Sequence, residues 1–149
     1  MGGLHKDRLS DVITRSVSET IENMAFITAE QVPCKTISPH LNECISVKQH
    51  ILEPDYATLC LCMSERLGRM LVNTMYAIDG ESATDKMVAD LTAELLNTIS
   101  GSVIKQLLAA DTPFKLSIPE VMSRYTPPTD NPSETCCFLV SGEPLLIHA

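Results

Sequence analysis

The chain has 149 residues, of which 44% are hydrophobic and 20% are charged, a size and composition typical of one globular domain with a single core. Its net charge of −8, without any cluster of Lys or Arg, argues against a nucleic-acid groove and against binding to an anionic membrane surface. No apolar stretch approaches the roughly 20 residues of a membrane-spanning helix, and the start of the chain is too polar for a signal peptide. We therefore expect a single cytoplasmic domain over residues 1–149.

The six cysteines could form disulfides or bind a metal, so their spacing matters. Two pairs lie close together in sequence and two cysteines stand alone: Cys60 with Cys62, Cys136 with Cys137, then Cys34 and Cys44. The chain has no CxxC pair, and its histidines show no ligand spacing. Without a secretion signal, this pattern predicts six free thiols, buried as small apolar side chains, and no metal site. A disulfide or a metal site is the alternative.

The first half of the chain is predicted to form a helix followed by strands. Asp7 or Ser10 can cap a helix that ends near Phe26. Its apolar face repeats at helical spacing: Leu9, Ile13, Val17, Ile21 and Met24. Strand patterns follow over KTIS, CISVKQHIL and YATLCLCM, with a turn around Pro54 between the last two. A short helix then begins at Ser64 and ends near Asp79-Gly80.

The second half repeats this order of elements. Thr84 can cap the longest helix of the chain, which is predicted to reach about Ala110. Its buried stripe consists of Val88, Leu91, Leu95, Ile99, Val103 and Leu107. A strand, FKLSI, a polar loop, YTPPTDNPSE, and a closing hairpin of CCFLV and LLIHA come next. A helix followed by strands occurs twice along the chain. This order indicates a duplicated unit and an α+β fold with a mainly antiparallel sheet.

The polar face of the long helix carries the residues that could act on a partner. Residues three and four apart are neighbours on a helix, so one outward stripe contains Asp90, Glu94, Asn97 and Gly101. Asp, Asn and Gly are poor helix formers, so helix propensity does not explain them. A Gly one turn beyond Asn97 leaves room for a partner to approach. Polar residues opposite an apolar stripe are also what any surface helix displays, and periodicity alone favours that ordinary explanation.

The segment DLTAELLNTISG, from Asp90 to Gly101, resembles the signature of the CheC/CheX chemotaxis phosphatases. That signature has an acidic or Ser residue, then Glu, then Asn at these spacings, and a Pro about twenty residues downstream, which Pro119 matches. The similarity extends through YATLCLCM, SERLGRMLVNTMY and FKLSIPEV. It implies a CheC-like fold in which a helix-plus-strands unit is duplicated and two long helices pack side by side.

A single intact signature resembles the arrangement of the CheX branch. The matching positions of the first helix are Arg15, Glu19 and Glu22, and Asn23 is displaced by about 100° around the helix. The first half is therefore expected to lack a site, with Glu19 and Glu22 serving as surface or packing residues.

The resemblance implies a phosphatase that stimulates hydrolysis of the aspartyl-phosphate of a CheY-like response regulator, in chemotaxis or related two-component signalling. Asn97 would orient the attacking water and Glu94 would pair with a lysine of the receiver domain, while Asp90 and Gly101 would contribute to partner binding. No cofactor of its own is implied, because the receiver binds the Mg²⁺. The alternative is a catalytically silent adaptor of the same fold that binds a receiver or another signalling partner.

Two further expectations follow. The resemblance implies a homodimer in which sheet edges meet, and CCFLV and LLIHA are apolar strands that could form such an edge. A solvent-facing Asn97 should contribute little to stability, so Asn97→Ala should leave the melting temperature unchanged or slightly raised.

Overall fold

The computed structural model describes residues 6–37, 44–76, 83–123 and 135–149. In chain order the elements are α1 (Lys6–Ala25), β1 (Ala29–Val32), α2 (Cys34–Ile37), β2 (Cys44–Glu53), β3 (Ala57–Ser64), α3 (Glu65–Tyr76), α4 (Asp85–Leu107), β4 (Lys115–Leu116), β5 (Glu120–Ser123), β6 (Thr135–Val140) and β7 (Glu143–His148). The predicted polar loop over 125–134 and the predicted end of the short helix at Asp79-Gly80 lie outside the described residues.

The strands form one antiparallel sheet in the order β1-β6-β7-β3-β2, with β4 and β5 both paired to β2. One face of this sheet carries the main core, in which alternate residues of β3 such as Leu59, Leu61 and Met63 are buried together with apolar residues of α1, α3 and α4. The two long helices, α1 and α4, contact each other side by side. The α+β class and the antiparallel sheet are confirmed.

Helix α1 has the predicted apolar face, since Ile13, Val17 and Ile21 are buried. Its start differs from the prediction, because the helix begins at Lys6 and therefore contains both predicted caps. Its end agrees to within one residue: Phe26 adopts a left-handed backbone with φ of 60°, and its N–H donates to the Glu22 carbonyl at 3.0 Å.

The predicted strand at KTIS is wrong. Cys34–Ile37 forms the short helix α2, and the strand of this region is β1, which pairs with β6. Ile37 is fully buried against the opposite face of the sheet, with Cys62, Cys137 and Leu146. A β-branched and apolar run fits a strand locally, but contact with this second apolar cluster fixes it as a helical turn.

Helices α3 and α4 begin where the sequence predicts, at Ser64 and at the predicted cap Thr84. The Ser64 hydroxyl accepts a hydrogen bond from the Leu67 N–H at 3.0 Å, and the Thr84 hydroxyl accepts one from the Met87 N–H at 3.1 Å. Helix α4 ends at Leu107, three residues before the predicted end at Ala110. None of the helices in the described parts of the chain combines the length and apolar character needed to cross a membrane.

The closing hairpin is correct, but its strands are not at an edge. β6 lies between β1 and β7, and β7 lies between β6 and β3. The described edges are β1 on one side and β4 with β5 on the other. The expectation that CCFLV and LLIHA leave an unpaired edge is therefore wrong, and the homodimer remains a prediction.

The prediction of six free thiols is wrong for two cysteines, because Cys34 and Cys137 form a disulfide. The pairing of β1 with β6 places Val32 opposite Cys137, and Cys34 follows two residues later. The two Cα atoms are 5.1 Å apart although 103 residues separate the cysteines in sequence. Sequence spacing could not show this contact because it depends on strand order.

The disulfide makes thiol titration informative. Protein denatured without reductant should show the four free cysteines, Cys44, Cys60, Cys62 and Cys136, and reduction should raise the number to six. In the native protein, alkylation of Cys60 and Cys136 should be slow, because burial raises the pKa of both thiols and lowers the thiolate fraction. Six titratable thiols before reduction would contradict the pairing.

Candidate functional site

The predicted polar stripe lies on the outward face of α4. Asp90, Glu94 and Asn97 are exposed, Gly101 is half-buried, and the opposite side of the helix packs into the core. Glu94 and Asn97 are one turn apart, so both side chains can reach a single partner surface. The prediction that these residues share one outward stripe of the helix is therefore confirmed.

Asn97 is exposed, but its side chain is hydrogen-bonded to a residue of the sheet that lies under α4. The amide oxygen Oδ1 of Asn97 accepts a hydrogen bond from Nε2 of Gln49 at 2.7 Å. Within the described residues, the Asn97 amide nitrogen Nδ2 has no partner. The oxygen is thus turned towards the sheet, and the two N–H groups remain available to a ligand.

Gln49 lies on β2, beneath α4, and is only 1% exposed. Its Nε2 also donates to the Ser117 carbonyl at 2.8 Å. Two further hydrogen bonds join Ser117 to His50, the residue after Gln49 on β2. The Ser117 N–H donates to the His50 carbonyl at 2.8 Å, and the His50 N–H donates to the Ser117 hydroxyl at 2.9 Å. The segment that leads to Pro119 is therefore anchored beside Asn97.

Glu94 and Asp90 differ in their contacts. Within the described parts of the chain, the Glu94 carboxylate has no hydrogen-bond or ion-pair partner, whereas Oδ2 of Asp90 lies 2.9 Å from Nζ of Lys86 one turn earlier. This exposed pair is worth only a few tenths of a kcal/mol. Asp90 is therefore paired with Lys86, and the Glu94 carboxylate is available to a cation of a partner.

A groove of about 770 Å³ borders Asn97 between α1 and α4. Its lining residues come from both helices and from the β4 region: Arg15, Glu19, Asn97, Thr98, Gly101, Ser102, Lys105, Gln106, Phe114 and Leu116. A Cβ built on Gly101 would have no atom within 4 Å, so this position is open. Arg15 and Lys105 have no ion-pair partner in the described regions, although the chain carries a net charge of −8.

The first-half positions that correspond to the signature lie on the surface. Arg15, Glu19 and Glu22 are all exposed on α1, and the first two line the groove that borders Asn97. The interpretation of Glu19 and Glu22 as surface residues agrees with this arrangement.

Sequence reasoning missed Gln49. The inward positions of β2 alternate as Ile45, Val47, Gln49 and Ile51, and all except Gln49 are apolar. A polar residue at a core position of an amphipathic strand is the signal that could have identified it.

The described residues contain no group of three or more His, Cys, Asp or Glu side chains that could hold a metal ion. Cys44 and Cys62 lie on neighbouring strands, but they belong to the small apolar cluster on the opposite face of the sheet.

Comparison with known proteins identifies the fold and the family. The family described as chemotaxis phosphatase CheX matches residues 54–141. No curated protein sequence matches the chain. The solved structure of chemotaxis protein CheX from Vibrio vulnificus superposes with a TM-score of 0.75 and 14% identity, covering 97% of each chain.

Two further structures share the fold. A CheC-like superfamily protein from Shewanella sp. PV-4 has a TM-score of 0.67 and 18% identity, covering 94% of this chain and 96% of that one. CheX in the CheX-CheY-BeF3-Mg complex from Borrelia burgdorferi has a TM-score of 0.64 and 14% identity, covering 92% and 93%. Because the family match spans more than half of the sequence and includes the whole of α4, the chain belongs to the CheX family of chemotaxis phosphatases.

Proposed function

We propose that this protein stimulates hydrolysis of the aspartyl-phosphate of a CheY-like response regulator, with Glu94 and Asn97 as the acting pair. The observation that carries the proposal is that both side chains are exposed one turn apart on α4, in a chain of the CheX family. A relative is known in complex with CheY, BeF3 and Mg²⁺, which supports a receiver domain as the partner.

The proposed reaction requires few catalytic groups from this protein. An aspartyl-phosphate is already activated, so the protein must place a water in line with the phosphorus. Asn97 suits this task because its outward Nδ2 carries two N–H groups, of which one can donate to the oxygen of the water and the other to a phosphoryl oxygen. The Mg²⁺ that neutralises the phosphoryl group belongs to the receiver in this proposal.

Glu94 has a different role in the proposal. Its free carboxylate, one turn before Asn97, would pair with a lysine of the receiver and fix the docking register. Arg15 and Lys105 would then face the partner across the groove, where two unpaired cations favour an acidic surface. Asp90 would contribute at the edge of this contact.

The test is the release of inorganic phosphate from a CheY-like receiver that has been phosphorylated with acetyl phosphate in the presence of Mg²⁺. We expect this protein to accelerate release above the receiver's own rate, in proportion to its concentration. Binding to the beryllofluoride form of the receiver without any acceleration would favour the silent adaptor instead.

Gly101 gives a prediction that separates docking from stability. Gly101→Ala should raise the stability by about 1 kcal/mol, because Ala is the better helix former and its Cβ enters open space. Gly101→Leu should also fold, but it should weaken receiver binding by about tenfold or more, because a bulky side chain would fill the groove beside Asn97. Thermal unfolding and titration with beryllofluoride-activated receiver measure the two effects. Equal affinity for both variants would place the docking surface elsewhere.

A further inference from the structure

Gln49 is a polar residue at a buried position of β2 where an apolar residue is expected. It shares the inward face of β2 with Val47 and Ile51, both fully buried, and is itself 1% exposed. Burying an amide lowers stability unless its polar atoms are paired, and within the described residues Oε1 of Gln49 has no partner. A Leu or Met would fill this volume without that cost. Core packing therefore does not explain the amide.

The bonds of Gln49 fix the direction in which its side chain points. Its Nε2 donates to two oxygens, Oδ1 of Asn97 at 2.7 Å and the carbonyl of Ser117 at 2.8 Å. The Ser117 carbonyl can only accept, so an exchange of the oxygen and nitrogen of Gln49 would place one acceptor against another. The assignment is consequently set by the contacts themselves, and both N–H groups of Nε2 are used.

The same bond selects one orientation of the Asn97 amide. A free Asn on a helix surface can turn its amide by half a rotation and present either its oxygen or its nitrogen outward. With Gln49 as a donor beneath it, the oxygen faces inward and the N–H groups face a bound partner. An amide held in advance does not lose orientational freedom when the phosphoryl group docks.

We propose that Gln49 is a positioning residue, which holds the Asn97 amide in the orientation that the dephosphorylation step requires. The inference rests on the proposed function, because the orientation of the Asn97 amide by Gln49 matters only if Asn97 orients the attacking water. Gln49 also ties Asn97 to the carbonyl of Ser117, and so fixes the helix relative to the segment that carries Ile118, which is 90% exposed, and Pro119.

The experiment compares Gln49→Met with the wild type in phosphate release from a receiver phosphorylated with acetyl phosphate. Met keeps the length of the side chain but has no donor. We expect kcat to fall about tenfold, equivalent to about 1.4 kcal/mol, with KM within a factor of two. The decisive measurement is the double variant: in an Asn97→Ala background, Gln49→Met should cause no further loss, since the residue acts only through Asn97.

Thr92→Val provides a control for a buried polar deletion. It removes a fully buried hydroxyl of α4 that donates to the Val88 carbonyl at 2.7 Å and is not part of the site, and it should retain full activity. Gln49→Leu is a second variant for the case that Gln49→Met does not fold. It is apolar, as this core position of β2 favours, and it lacks the Nε2 donor, so the same loss of kcat is expected.

The outcomes separate the two proposals. Wild-type protein without activity would overturn the proposed function and this inference with it. Active wild type, inactive Asn97→Ala and fully active Gln49→Met would overturn the inference alone. An equal loss from Gln49→Met with and without Asn97 would show a general structural role and would also overturn it.

Discussion

Asn97→Ala should lower the rate of receiver dephosphorylation on the order of 100-fold, about 2.7 kcal/mol of activation free energy. The physical reason is the loss of the amide that places the water and contacts the phosphoryl group. Affinity for the beryllofluoride-activated receiver should change by less than threefold, because the carboxylate of Glu94 and the groove remain. Single-turnover phosphate release and receiver titration measure the two quantities.

The structure changes the expected stability of this variant. The sequence alone predicts an unchanged or slightly raised melting temperature, since Ala is the better helix former. Asn97 nevertheless accepts a bond from buried Gln49, and its loss leaves one N–H of Nε2 unpaired. We now expect a net destabilisation of about 1 kcal/mol, or about 3 °C in melting temperature.

Asn97→Asp is the matched control for this point. Its carboxylate oxygen can still accept from Gln49, so its melting temperature should stay closer to that of the wild type. Its activity should nevertheless be lost, because it has no N–H to donate and its negative charge repels the phosphoryl group. A wild-type dephosphorylation rate for Asn97→Ala would contradict the proposed mechanism.

Glu94→Ala should raise KM about 30-fold, equivalent to about 2 kcal/mol, through the loss of a charged hydrogen bond to the receiver. Its kcat should fall as well, since the carboxylate also fixes the docking register. Melting temperature should be retained, because within the described residues the Glu94 side chain has no partner to lose. Steady-state kinetics at two salt concentrations measure these effects, and the loss should be smaller at high salt, where the pair is screened.

Glu22→Ala provides the control for Glu94→Ala. It removes the same charge from an exposed position of a long helix, at a residue that does not line the groove beside Asn97. Its kinetics should match those of the wild type. An equal rise in KM for both variants would mean that net charge, rather than a specific pair at Glu94, governs docking.

Helical periodicity is sufficient to locate the outward stripe of α4 from the sequence. The spacing of Asp90, Glu94 and Asn97 and the apolar residues behind them suffice, because helical periodicity assigns faces without reference to other elements. The caps at Ser64 and Thr84 are local in the same sense: each hydroxyl accepts from a backbone N–H three residues later. The α+β class followed from the order of these local patterns.

The contacts between distant segments could not be predicted from local patterns, because they depend on the order of the strands and the packing of the helices. The strand order brought Cys34 beside Cys137, placed the closing hairpin in the interior of the sheet, and left Cys34–Ile37 as a helical turn over an apolar cluster. The bond from Gln49 to Asn97 joins residues 48 positions apart in sequence. Such a contact depends on how α4 crosses β2, and no local pattern encodes that crossing. The acting residues could thus be located from the helix alone, whereas the orientation of the Asn97 amide depends on the sheet beneath it.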